Sequence, residues 1–281
     1  MSFLHWLYDR PLWLSALLIV GPALAFSIGG TLLVRRHIPE SWTESKDAIS
    51  ACGSAVGVIY AVLLGMIAVA AWGDYTDLSS KITEEASLAN NLFRDAEGLS
   101  QPARQNLQRS YREYVGKVYC DEGTLLKRGK LDTRRPPTRE TVEQIMRQVS
   151  TYKPQDLGEQ NVHRETLGVV NHLLSARRAR LLSADTHLMP VLWVVVLAGG
   201  IITMALCWCI HVADKVLHVL LSGTYSLVVG LMVFCIFTLD HPFWGEVAVD
   251  MEPFQYVGRS IDGLEPKTGV KDCINDAAQA R

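Results

Sequence analysis

Four apolar blocks without a single Asp, Glu, Lys or Arg constrain this chain more than any other feature. They run from about Leu12 to Val34, Ala48 to Trp72, Leu188 to Ile210 and Val216 to Leu239. Asp47, Asp74, Asp185, Asp214 and Asp240 lie just outside them. The hydrocarbon core of a bilayer is ~30 Å thick, and a helix needs about 20 apolar residues to cross it. Each block meets that length, so the sequence predicts four transmembrane helices and a multi-pass protein of the cell membrane. The first block is longer than the roughly 7–15-residue core of a signal peptide. No A-x-A site follows it and Arg35-Arg36 closes its far end, so it is expected to be retained.

Composition narrows the class further. The 281 residues are 49% hydrophobic and 20% charged, with a net charge of −2, which excludes a disordered chain and a collagen-like chain. A dedicated nucleic-acid binder carries a basic excess that is lacking here, so no nucleic-acid partner is expected. Of the cysteines, Cys52, Cys207, Cys209 and Cys235 fall in the blocks, where thiols act as small apolar groups. Only Cys120 and Cys273 are left for an exposed disulfide, and no disulfide framework is implied.

An even number of spans puts both termini and the long stretch from Gly73 to His187 on one side. Near the spans that side offers Arg10, Lys81, Arg177, Arg178, Arg180 and Arg259. The other side offers Arg35, Arg36, Lys46 and Lys215 on shorter loops. The raw count makes the first side cytoplasmic. The chain then divides into a first helix pair (1–72), a helical cytoplasmic domain (73–187), a second helix pair (188–240) and a C-terminal segment (241–281).

The middle stretch reads as helices, an all-α insertion between the second and third spans. Leu78, Ile82, Ala86, Ala89, Leu92, Phe93 and Ala96 form one helical stripe. Pro102 suits the first turn of a second helix, with Leu107, Tyr111, Tyr114, Val115 and Val118 inward and an end expected near Gly123. Thr138 is placed to cap a short helix bearing Val142, Ile145, Met146 and Val149, which Pro154 ends. A long helix from about Gln155 to Leu188 is expected to run unbroken into the third span. Glu246 to Met251 alternates weakly, as an extended segment does, and the tail after Gly258 reads as mobile.

Catalytic signatures are missing: no Walker loop, no nucleophile elbow, no dinucleotide fingerprint. No enzyme activity, cofactor or metal is therefore expected. Cys207, Cys209 and His211 do not share one helix face, which argues against a metal site. Gly29-Gly30 and Gly199-Gly200 lie in helical apolar runs, where their role is close helix packing. Arg177, Arg178 and Arg180 precede the third span. The favoured reading is a basic collar contacting headgroups, the alternative an anion-attracting vestibule. Glu84, Glu85 and Arg94 read as solvated or interhelical pairs.

The second span is the most informative stretch. Gly53, Gly57, Ala61 and Gly65 recur every fourth residue, a ridge that lets another helix approach closely, within the protomer or between subunits. Val58, Val62 and Met66 run beside it at the same spacing. They descend one helix face over about 12 Å at 1.5 Å per residue. Copies around an axis make stacked apolar rings, which resist ions because hydration is lost without replacement ligands.

Two spans, a helical insertion, two spans and a Pro-Phe turn together resemble the bestrophin-like family. The residues that carry the resemblance are Val62-Leu63-Leu64-Gly65-Met66 ahead of Trp72 and Tyr75, and Asp240-His241-Pro242-Phe243-Trp244-Gly245-Glu246 after the last span. Glu85-Ala86 and the run from Arg177 to Pro190 leading into Leu192-Trp193 add to it. The family is distantly similar to bestrophin anion channels, and that tie implies a pentamer with a pore lined by the second span. By motif match the neck residues are Val58, Val62 and Met66, without the aromatic rings of bestrophins. Asp240, Pro242, Phe243, Gly245 and Glu246 resemble the bestrophin Pro-Phe-Gly-Glu turn. Val247-Ala248-Val249 stands where calcium-gated members carry an acidic run, so calcium activation does not transfer.

The sequence therefore points to a homo-oligomer in the bilayer that passes small ions, anions by preference, on a symmetry axis. The rival reading is a non-conducting membrane scaffold or signalling protein whose helical domain binds a cytosolic partner.

Overall fold

The computed structural model describes residues 3–8, 10–36, 46–184, 187–210 and 212–262. Ten α-helices follow one another in these residues: α1 (Phe3–Tyr8), α2 (Leu12–Arg35), α3 (Lys46–Asp95), α4 (Ala103–Lys117), α5 (Gly123–Lys127), α6 (Arg139–Thr151), α7 (Leu157–Ala184), α8 (Pro190–Cys209), α9 (Lys215–Asp240) and α10 (Glu252–Asp262). The described fold is all-helical. Four helices, α2, α3, α8 and α9, are long and apolar enough to cross a membrane. The chain forms two compact units. One comprises the described residues up to Asp74 with His187–Val247; the other comprises Tyr75 to Ala184 with 248–262.

In the first unit α2 packs along α9 and α8. Small residues set these contacts. A Cβ at Gly230 on α9 would lie 3.3 Å from Val20 Cα on α2, and a Cβ at Gly30 would lie 2.1 Å from the Trp208 ring on α8. At Gly199 a Cβ would come within 2.5 Å of the Tyr60 ring. Tyr60 then donates its hydroxyl to the Val196 carbonyl at 2.7 Å. The close packing expected of Gly30 and Gly199-Gly200 is thus present, whereas Gly29 faces open space. Apolar side chains gain nothing by leaving lipid for each other, so fit and interhelical hydrogen bonds carry such contacts. One polar seam does this directly: Thr31 Oγ1 lies 2.6 Å from Ser222 Oγ, and Ser27 Oγ reaches the Ser222 carbonyl at 3.1 Å.

The second unit is built on the predicted stripes. Leu78, Ile82, Ala86, Ala89, Leu92, Phe93 and Ala96 are buried, as are Leu107, Tyr111, Tyr114, Val115 and Val118. Val142, Ile145 and Val149 of α6 complete this core. Three expectations fail here. The helix after Pro102 does not stop at Gly123: a π-turn over Val118–Glu122 carries it into α5. Gly123 keeps helical angles, and its missing side chain admits Met251, whose Cγ would lie 3.3 Å from a Cβ there. Nor does α7 run into the third span. It ends at Ala184, and Leu188 and Met189 lie outside any helix before Pro190 opens α8. Thirdly, no strand occurs among the described residues; 246–251 is irregular and the chain re-enters a helix at Glu252. That helix, α10, packs on α4 and buries Phe254, Val257 and Ile261 at helical spacing. Gly258 is inside it, and the tail beyond Asp262 lies outside the described residues. Cys120, one of the two cysteines the sequence leaves for an exposed disulfide, is disulfide-bonded, while Cys52, Cys207, Cys209 and Cys235 are free.

Candidate pore face and the sites that support it

Within the first unit α3 turns one face inward. Tyr60, Leu64, Ile67 and Ala71 are buried at spacings of four, three and four. Helical residues advance about 100° each, so Val58, Val62 and Met66 lie on the opposite side of the helix. They are 64%, 59% and 70% exposed. The glycine ridge lies on the flank between these faces. A Cβ at Gly53 or Gly65 would meet nothing within 4 Å, and one at Gly57 only the Tyr225 hydroxyl at 4.0 Å. Ala61 is exposed as well. The ridge therefore mediates no close approach inside the described protomer, where Gly30, Gly199 and Gly230 do that work instead.

The segment after α9 gathers five of the sequence-predicted residues. Asp240 accepts from the Leu188 backbone N–H at 2.6 Å and from Trp193 Nε1 at 3.0 Å, tying the end of α9 to the start of α8. Pro242 and Phe243 are buried. Gly245 turns the chain with φ +77°, where a Cβ would lie 3.1 Å from the Tyr8 carbonyl oxygen. Glu246 Oε2 accepts from the Leu12 N–H at 3.3 Å. That serves one of the open donors in the first turn of α2, whose preceding residue, Pro11, makes no side-chain cap. Beside the turn His241 stacks on Trp244 at 4.2 Å, with Tyr8 edge-on to both. Burial holds the His241 imidazole below its ordinary pKa, against the pull of Asp240, and nearby His187 lowers it further.

The basic cluster is not a collar. Only Arg178 is exposed, bonded to the Leu174 carbonyl. Arg180 and Arg177 are turned into the core of the second unit. Arg180 Nε donates to Glu85 Oε2 at 2.5 Å and Arg180 Nη2 to Glu122 Oε2 at 2.7 Å, and all three side chains are 0% exposed. Arg177 Nη2 donates to Thr138 Oγ1 at 2.6 Å, and that hydroxyl donates in turn to Glu122. Thr138 therefore makes no side-chain cap to α6. Tyr114 donates to Glu85; its phenol is pushed well up, by burial first and then by the Glu85 charge. Of the paired acids read from sequence, Glu85 is the interhelical one and Glu84 is exposed. Among the described residues no group of three or more His, Cys, Asp or Glu is placed to hold a metal ion, and His211 lies outside them.

Sequence reasoning missed Glu122, Tyr60 and the Ser27–Thr31–Ser222 seam. For Glu122 a signal existed: it continues the buried line Tyr111, Tyr114, Val118 by one turn. Glu85 and Arg177 also sit on their helices' apolar stripes. A charge on such a stripe marks a buried ion pair.

A sequence model of the Bestrophin-like domain matches residues 21–254. No curated protein matches the chain. Among solved structures, two crystal structures of point mutants of a bacterial bestrophin homologue from Klebsiella pneumoniae align with TM-scores of 0.65 and 0.60. A crystal structure of a point mutant described as a membrane protein aligns with 0.65. Each alignment has 13% identity and covers 88% of this chain and 99% of the other. At that identity the likeness is one of fold, and it is extensive. The all-helical architecture, the four apolar helices and the family match agree: the chain is a membrane protein that belongs to the bestrophin-like family.

Proposed function

We propose that this protein assembles as a homo-oligomer in the cell membrane and passes small ions, anions by preference, along its symmetry axis. The observation that carries this reading is the α3 face of Val58, Val62 and Met66. It lies opposite the packed face of the helix and is left uncovered by the protomer. A helix that met only lipid there would need no ridge of small residues on its flank. Gly53, Gly57, Ala61 and Gly65 instead supply a surface on which a neighbouring subunit can seat closely. With the ridge on the neighbour, the apolar line faces the axis and forms a dry neck. The distant tie to bestrophin anion channels supports the anion preference and a pentameric ring. Ion flux from liposomes holding purified protein tests the reading, together with the oligomeric state in detergent. A ring with flux supports it; a monomer contradicts it. A ring without flux contradicts conduction and supports the scaffold.

Span parity places the helical unit on the same side as both termini, and the raw count of basic residues near the spans favours a cytoplasmic side. The Cys120 disulfide favours the opposite side, because disulfides persist in oxidising compartments. An introduced cysteine near Gly129 separates the two. Resistance to an impermeant reagent on intact cells supports the cytoplasmic placement, and labelling contradicts it.

A further inference from the structure

A cleft opens between the start of α2 and the turn after α9. Arg10, Leu12, Phe237, Trp244 and Glu246 line it, and it encloses about 270 Å³ of unfilled space, its open mouth included. Leu12 begins one apolar helix and Asp240 ends another, so the cleft lies where the membrane core gives way to headgroups. Trp6 and Trp13, close by in sequence, are exposed, and exposed tryptophans favour that level of a bilayer.

The hydroxyls in the cleft wall are already spent. Tyr8 donates to the Phe237 carbonyl, Ser15 to the Leu7 carbonyl and Thr238 to the Cys235 carbonyl. Two opposite charges are left. The Arg10 guanidinium lies 4.6 Å from the centre of the Trp6 ring, and among the described residues no carboxylate pairs with it. Glu246 spends Oε2 on the Leu12 N–H, and among the described residues its Oε1 has no partner. A cleft that displays both signs without joining them suits a ligand that carries both.

We propose that this cleft binds the headgroup of a zwitterionic aminophospholipid of the phosphatidylethanolamine kind, with Arg10 on the phosphodiester and Glu246 on the ammonium. A guanidinium fork matches two phosphate oxygens, and an ammonium N–H makes a charge-assisted bond to a carboxylate. The acyl chains have a lipid-facing side of α2 to follow, where Trp13 and Leu17, one turn apart, are exposed. An anionic glycerol head satisfies Arg10 but sets a further negative charge beside Glu246. A choline head has no N–H to give Glu246. The site requires only that the protein lies in a membrane, and it is independent of conduction.

Native mass spectrometry of the full-length protein, released from micelles holding equal amounts of added dioleoyl lipids, tests it by counting the lipid retained. The wild type should retain phosphatidylethanolamine several-fold better than phosphatidylcholine or phosphatidylglycerol. Arg10→Gln should lose that retention several-fold, and Arg10→Lys should recover most of it. Glu246→Gln keeps an oxygen for the Leu12 N–H and should lose the preference for phosphatidylethanolamine over phosphatidylglycerol. Glycerophosphoethanolamine, the same head without chains, should displace the lipid only in large excess. Equal retention of the three lipids, a preference for phosphatidylglycerol, or an unchanged preference in either Arg10→Gln or Glu246→Gln overturns the proposal. Displacement by the chainless head at a concentration equal to the lipid's overturns the assignment to lipid.

Discussion

Arg180 on α7 and Glu85 on α3 face each other with neither side chain reaching solvent. Glu122 and Tyr114 close the remaining sides of the pair. Removing the arginine leaves two carboxylates buried in a core where charge is poorly solvated, with Arg177 Nη2 3.8 Å from Glu122 as the remaining cation. We expect Arg180→Leu to destabilise the protein by about 3–5 kcal/mol. Arg180→Lys should also destabilise it, since one ammonium cannot reproduce the guanidinium's two-sided fork. Arg178→Leu, on the exposed side of the same helix, should stay within about 0.5 kcal/mol. Thermal unfolding of the purified variants checks the ordering, and a wild-type midpoint for Arg180→Leu contradicts it.

Acid should loosen the turn after α9. Burial depresses the His241 pKa below its ordinary 6.5, so the folded state favours the neutral ring. The resulting stabilisation is complete above the unfolded value and is lost as pH falls through it toward the lower folded value. The thermal midpoint should therefore drop between about pH 7 and about pH 5, more in the wild type than in His241→Phe. That variant keeps a ring to stack on Trp244 and removes the titrating group. An equal drop in both proteins assigns the acid sensitivity elsewhere.

Much of this fold was legible because its signals are collective. Four uncharged blocks can hardly be anything but long apolar helices, and the inward stripes of α3, α4 and α6 follow from the 3.6-residue period. The sites were harder. A basic run beside an apolar block usually meets headgroups, so the sequence by itself suggests a collar at Arg177 and Arg180. What reverses that reading is Glu85 and Glu122, far away in sequence. Gly123 reads as a stop, although its small size serves Met251 rather than a chain reversal. The stripe of α10 was obscured by the polar, glycine-bearing tail that follows it. The break before α8 did carry a signal: Pro190 removes a backbone donor and clashes inside an unbroken helix, and it opens α8 at its first turn instead.

Glycines in the bundle should separate into two classes. Gly199→Ala places a methyl 2.5 Å from the Tyr60 ring and should cost about 1–3 kcal/mol in protomer stability. Gly53→Ala meets open space in the protomer and should leave its stability unchanged. Unfolding in a detergent that dissociates the oligomer compares the two, and equal losses contradict the assignment of the packed face.

The ridge is predicted to act between subunits. Gly57→Leu should abolish the oligomer or its expression, because a bulky side chain holds the neighbouring helix away. Size-exclusion chromatography with light scattering reads the outcome. A variant that assembles like the parent shows that the ridge faces lipid.

The most direct measurement is anion efflux from liposomes holding wild-type protein or the triple variant Val58→Ala, Val62→Ala and Met66→Ala. Truncating three apolar rings should widen and wet the neck, so the triple variant should pass anions faster at rest than the wild type. Unchanged or absent efflux from a triple variant that remains an intact oligomer would contradict the assignment of this α3 face as the gate.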